Sequence, residues 1–287
     1  MILLNKLYII TVMNTNTELN SEQLVQPIEL SFSSIETFNQ CPRKYYYNYI
    51  LKLPKKERPW LVLGTFVHLS LEKFHKYILY FRRKNRELPF SHAELMKRAY
   101  LSASRVYDRK QANNPEGNLT DKQRVQAKEI LKYHLDKIKV SYPDVQYVEV
   151  GFRLKIGDYI IRGFIDRVDR IGENIYEVVD YKTSSQKYKV DKNNQLGIYG
   201  YALRKMLGEH IKIHKKLDFI KLYKEEIGTY KSTEDDKIEQ FVIESGEKIR
   251  NAREKLKTEE EWTPIDNQFC HFCDFKDRCY AQREILF

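Results

Sequence analysis

A chain of 287 residues with 42% hydrophobic content can bury one substantial core, or a core with a helical insertion. Its formal net charge of +10 favours a polyanionic partner such as nucleic acid over simple basic solubility. No uncharged apolar run reaches about 18 residues, so no segment is a candidate membrane-spanning helix, and no GxxxxGK phosphate loop offers a ground for ATP hydrolysis.

Taken in order, the chain starts with "MILLNKLYIITVM", apolar but broken by Lys6 and followed by no small-residue cleavage site. Residues 1–27 are expected to form a flexible arm of a cytoplasmic protein, with Met13 an alternative start, and 28–287 the folded domain. "SFSSIETF" predicts a helix over 31–38, with Ser33 and Glu36 at capping-box spacing. A short Tyr-rich helix follows Cys41-Pro42. The 21 tyrosines of the chain suit base stacking and core packing equally. Residues 64–81 predict an amphipathic helix with Val67, Leu71, Phe74 and Ile78 on its buried side and His68 and Glu72 on its flank. Helices near 91–109 and 120–140 flank the breaker "QANNPEGN" and make up a helical insertion of about 82–142. From 145 the pattern turns β-branched and aromatic, which predicts an antiparallel meander ending in "IYEVVDYKT". A helix at 191–207, a strand at 216–225, a helix at 234–257 and a cysteine-bearing tail complete the expected elements.

The charged ends of the meander carry the chemistry. Asp166 ends one apolar strand, Asp180 ends the next, and Lys182 shares the face of Asp180 because alternate side chains of a strand point the same way. Two adjacent carboxylates repel unless a cation lies between them, and oxygen ligands of this type suit Mg²⁺ or Mn²⁺. Such a metal polarises a phosphodiester and acidifies a water, while the lysine orients that water or offsets developing charge. An arbitrary D-x-K is more often a surface salt bridge. The apolar strand and the second Asp, after a glycine, favour a site. Glu149, in the preceding strand, is a further acid within reach, and Glu72 reads as a solvated helix residue.

The four cysteines are Cys41 and a C-x₂-C-x₅-C group at Cys270, Cys273 and Cys279. In a cytoplasmic chain this spacing favours metal over disulfides, either structural zinc or an iron–sulfur cluster.

"GFIDRVDR…EVVDYKT" resembles the core of the PD-(D/E)xK nuclease superfamily in its RecB-like branch. "GTFVHLSLE", "QLGIYGYAL" and "LSFSSIETFNQCPRKYYYNYI" are similar to three further segments of that branch, in the same order, so the resemblance spans about 30–285. It implies an α/β fold of the restriction-endonuclease type: a central mixed sheet flanked by helices, with the insertion and a cysteine clasp joining the two ends. It also implies a metal-dependent DNA nuclease, more an exonuclease than an endonuclease, favouring single-stranded DNA. The implied catalytic set is Asp166, Asp180 and Lys182, supported by Gln195 and Tyr199, with His68, Asp166 and Asp180 on the metal. One distant cysteine with a close trio is the arrangement of iron–sulfur members, including AddB-type subunits and CRISPR adaptation nucleases. This implies a [4Fe–4S] cluster on Cys41, Cys270, Cys273 and Cys279, and a helicase or CRISPR protein as a partner. Arg82, Arg83, Lys84, Arg98, Arg105, Arg109 and Lys110 suit either a channel that guides a single strand or a solvated basic helix face. The rival expectation is a non-catalytic DNA-binding or scaffold subunit, against which the retention of Asp166, Asp180 and Lys182 argues.

Overall fold

The computed structural model describes residues 9–12, 27–55, 58–111, 119–139 and 142–284. Met13 and most of the breaker segment lie outside them. Within the expected arm, a strand β1 spans Ile9–Val12. Next come β2 (Ile28–Leu30), α1 (Phe32–Gln40) and α2 (Pro42–Tyr45), the last continuing as a π-turn over Tyr46–Ile50. The helices α3 (Pro59–Arg83), α4 (His92–Gln111) and α5 (Asp121–Ile138) precede the strands β3 (Asp144–Ile156), β4 (Tyr159–Gly172) and β5 (Ile175–Tyr181). The chain then forms α6 (Asn194–Leu207), β6 (Lys212–Phe219), β7 (Lys224–Tyr230), α7 (Asp235–Lys255) and α8 (Lys276–Glu284).

The sheet order is β1-β3-β4-β5-β6-β7, with β2 parallel to β4. The β4–β5 and β6–β7 pairs are antiparallel and β5–β6 is parallel, so the sheet is mixed, as expected. Two compact units divide the chain. One is built chiefly from Glu57–Gly151 and Phe164–Glu234, the other from Ile10–Lys56, Phe152–Gly163 and Asp235–Phe287.

In the first unit the core runs through α3, α4, α5 and one face of β5. Val67, Leu71 and Phe74 are fully buried, with Ile78 close behind, as their helical spacing demands. Ala127, Ile130, Leu131, Val179 and Tyr181 join the same cluster, so the predicted insertion closes the core rather than standing apart from it. In the second unit α2 and its π-turn meet the C-terminal segment. Arg43 donates to the carbonyls of Trp262 (2.8 Å) and Glu260 (3.2 Å), the Tyr47 hydroxyl donates to Glu259 (2.6 Å), and Asn267 donates to the Gln40 carbonyl (3.1 Å). Tyr45 and Tyr46 stack on Trp262. Burial of Tyr45 and Tyr47 assigns these two to packing rather than to base stacking.

Three sequence expectations are corrected. The capping box of α1 joins Ser31 and Ser34, not Ser33 and Glu36, because extended Ser31 takes the N-cap position. The α3 helix starts at Pro59, whose ring is preorganised for a first turn. The strand expected at 216–225 is two strands. The reversal between them, at 220–223, contains neither Gly nor Pro, and Tyr223 supplies the positive φ of 56°.

Candidate active site

All the residues of the expected catalytic set fall in the first unit. The β4–β5 register pairs Arg167 with Val179, which puts Asp166 beside Asp180 on one face and Arg167 and Tyr181 on the other. Lys182 follows the last residue of β5. Its ammonium lies 2.6 Å from Asp180 Oδ2 and donates to Gln195 Oε1 at 2.8 Å. Gln195 in turn donates to the Tyr199 hydroxyl at 2.8 Å, one turn on along α6. Asn193 caps that helix by accepting from the Leu196 N–H. Asp166 Oδ2 accepts from the Tyr181 N–H at 2.9 Å and lies 3.5 Å from His68 Nδ1. The α3 helix can approach this closely because Gly64 faces Thr183: a Cβ on it would lie 2.7 Å from Thr183 Oγ1.

The electrostatics are those of crowded carboxylates. Asp180 is 2% exposed. Its carboxyl is raised to about 6, first by burial, against the pull of Lys182 and with a further push from Asp166. Its Oδ2 faces the Lys182 ammonium. Glu149 is raised to about 8, first by burial and then by Asp166 and Glu72. Its backbone has a φ of 49°, left-handed and costly for a non-glycine residue in a strand, which re-aims the side chain out of the regular alternation. Three acids crowded in a poorly hydrated place are a donor set that fits a hard divalent cation. As they stand, protein groups hold them, and among the described residues no three His, Cys, Asp or Glu are drawn together tightly enough to grip a metal. Glu72 pairs with Lys76 at 2.7 Å on the helix surface, as expected.

The sequence missed the dry face behind this site. Arg167 donates to Asp169 and to the Tyr181 hydroxyl, and His75, His134 and Tyr142 complete a buried polar network. The apolar strand with polar residues at alternate positions was the available signal.

In the second unit Cys41, Cys270, Cys273 and Cys279 border one cavity, together with Arg43, Lys44 and Lys276. All four are free thiols. Burial raises Cys273, Lys44 lowers it and Cys41 raises it further. Four thiols on one cavity with basic neighbours fit a metal group held by thiolates, although they too are not gathered at metal-holding separation.

Of the basic residues expected to guide a strand, Arg82 pairs with Asp144 (2.6 Å), and Arg98 pairs with Glu94 (3.1 Å) over the ring of Phe90. Arg83 donates to the Gln146 carbonyl. Lys84, Arg105 and Arg109 are exposed, and the side chain of Lys110 is outside the described residues.

A family model of the PD-(D/E)XK nuclease superfamily matches residues 29–280. The chain belongs to that superfamily. It is also 28% identical over 192 residues to one subunit of the ATP-dependent helicase/deoxyribonuclease of Clostridium perfringens, in more than one strain. That match covers 58% of this chain and 16% of the relative, so the chain spans about a sixth of the length of these proteins. A crystal structure of a Eubacterium rectale protein, named as a candidate exonuclease, superposes with a TM-score of 0.52 at 14% identity. The superposition covers 92% of this chain and 94% of that one, and it shows the shared nuclease fold. No helix among the described residues is long and apolar enough to cross a membrane.

Proposed function

We propose that this protein is a metal-dependent deoxyribonuclease that hydrolyses phosphodiester bonds, acting as an exonuclease on single-stranded DNA in repair, recombination or foreign-DNA processing in the cytoplasm. The observation that carries the reading is the set of Asp166, Asp180 and Lys182 on one strand-end face, with Gln195 gripping the lysine. Asp166 and Asp180, with Glu149 and His68 at the margin, would hold Mg²⁺ or Mn²⁺. Bound there, the cation supplies Lewis acidity and a water of lowered pKa. Lys182 is held by Gln195, and Gln195 by Tyr199, so the ammonium is kept at the reacting phosphate rather than left to wander. The Tyr181 N–H fixes the rotamer of Asp166. Cys41, Cys270, Cys273 and Cys279 would hold a [4Fe–4S] cluster, structural zinc being the alternative, as a brace that shares no residue with the Asp-Asp-Lys set.

The likeness to part of a helicase/deoxyribonuclease favours a second element of the reading: a helicase partner that feeds the strand. It also keeps a non-catalytic scaffold role as the rival. Purified protein incubated with labelled single-stranded DNA and Mn²⁺ separates the two. Metal-dependent cleavage that disappears in Asp180→Ala supports the nuclease. Binding without cleavage supports the scaffold.

A further inference from the structure

The face of β5 opposite the carboxylates is unusually polar for a dry core. The Tyr181 side chain lies between Asp180 and Lys182 in sequence but points away from both, into the helices. Its hydroxyl accepts from Arg167 and lies 3.2 Å from His75 Nε2. Arg167 is 4% exposed and is held at its other side by Asp169, 2.9 Å away. His75 touches the Tyr142 hydroxyl (2.9 Å) and His134 (3.0 Å). Burial and the adjacent guanidinium hold both imidazoles well below their usual range, so each is neutral and His75 can accept a hydrogen bond.

These contacts close a ring. From Asp166 the chain runs to Arg167, from Arg167 a hydrogen bond reaches the Tyr181 hydroxyl, and from the Tyr181 N–H a hydrogen bond of 2.9 Å returns to Asp166 Oδ2. One residue on, the Lys182 N–H continues the parallel β5–β6 ladder by donating to the Asp218 carbonyl at 2.8 Å. The Asp218 side chain is itself paired with Lys137 at 2.8 Å.

We propose that Tyr181 is a positioning residue: held by Arg167 and His75 on the dry face, it sets the Asp166 rotamer and the β4–β5 separation on the wet face, and thereby the affinity and geometry of a divalent cation between Asp166 and Asp180. The inference rests on the nuclease reading for the identity of the bound cation. It names a residue that touches neither the metal nor the DNA. Groups that orient metal ligands from behind change metal affinity or activity by about 10- to 100-fold when removed.

Tyr181→Phe deletes the hydroxyl and keeps the ring. Mn²⁺ binding is measured by titration calorimetry, cleavage by initial rates, and thermal stability alongside. The comparison variant is Ile130→Ala, a core truncation in α5 that removes none of the hydrogen-bonding groups of the ring. The expected result is Mn²⁺ affinity and kcat lowered about 10- to 100-fold in Tyr181→Phe, with KM for DNA unchanged. Ile130→Ala loses thermal stability but binds Mn²⁺ as the wild type does. A Tyr181→Phe protein that loses stability yet binds Mn²⁺ normally overturns the inference, and so does a wild type that binds no Mn²⁺. If Mn²⁺ binds and weakens as expected but neither protein cuts DNA, the positioning role stands and the nuclease reading fails. Should Tyr181→Phe not fold, His75→Gln, which leaves the Tyr181 hydroxyl in place but alters its support, is read by the same Mn²⁺ titration.

Discussion

Lys182→Met is the most informative single change, because it separates a buried functional pair from a surface salt bridge. The substitution keeps the aliphatic bulk and removes the ammonium 2.6 Å from Asp180, whose side chain is only 3% exposed. With the lysine present, burial already lifts the Asp180 carboxyl from 3.8 to about 6. At about pH 7.5 that shift costs the folded state about 3 kcal/mol. Without the lysine the carboxyl rises further, until it takes a proton instead. Neutralising an aspartate fully at about pH 7.5 costs about 5 kcal/mol, so the variant is less stable than wild type by about 2 kcal/mol. A raised carboxyl costs stability only above its unfolded pKa, so the gap is full at alkaline pH. It shrinks as pH falls through about 6, where the wild-type carboxyl also takes up its proton. Urea unfolding in EDTA at a series of pH values reads this directly, and cleavage in Mn²⁺ should be lost throughout. A gap of about 0–1 kcal/mol with no dependence on pH would mark an ordinary exposed pair and refute the reasoning.

Gly64→Ala adds about 1 kcal/mol of helix propensity but drives a methyl against Thr183 Oγ1, an overpacking worth about 1–3 kcal/mol. Turnover should therefore fall, and Thr183→Ala in the same chain should restore it; no recovery would mean that α3 is not set by this contact. Cys41→Ser and Cys279→Ser should remove colour and bound iron equally from anaerobically purified protein, as two corners of one four-thiolate site. Stoichiometric zinc without iron in the wild type would replace the cluster and leave the nuclease reading standing. The contacts of Arg43, Tyr47 and Asn267 across the clasp mean that either variant should still fold. DNA affinity should fall linearly on a log–log plot against salt, by about 0.7 per phosphate contacted for a single strand. A flat plot would make the +10 charge incidental.

Asp180 and Lys182 were legible as a pair because period-two alternation gives them one face, whereas the place of Asp166 beside Asp180 depends on the β4–β5 register. Gln195 and Tyr199 were legible as a helical pair. The α3 core positions followed from period 3.6. What stayed hidden depended on pairing across the sheet or on backbone geometry. The split of β6 from β7 turns on Tyr223 at positive φ, which no Gly or Pro advertises. Glu149 reads as a regular strand residue until its backbone is seen to flip. Arg167 and His75 look like surface residues in sequence. They are buried because each finds its partner on a different element, a condition that local pattern does not encode. The basic residues of the insertion err in the other direction, since Arg82 and Arg98 spend their charge on Asp144 and Glu94.

The proposed chemistry is cleavage of DNA, with a divalent cation, at the face carrying Asp166, Asp180 and Lys182. Its most direct test is digestion of 5′- and 3′-end-labelled single-stranded DNA in Mn²⁺, in EDTA, and by Asp180→Ala with its fold checked by circular dichroism. The expected result is a product ladder for the wild type in Mn²⁺ alone, and intact DNA in EDTA and with folded Asp180→Ala. Equal cleavage by wild type and Asp180→Ala would contradict it.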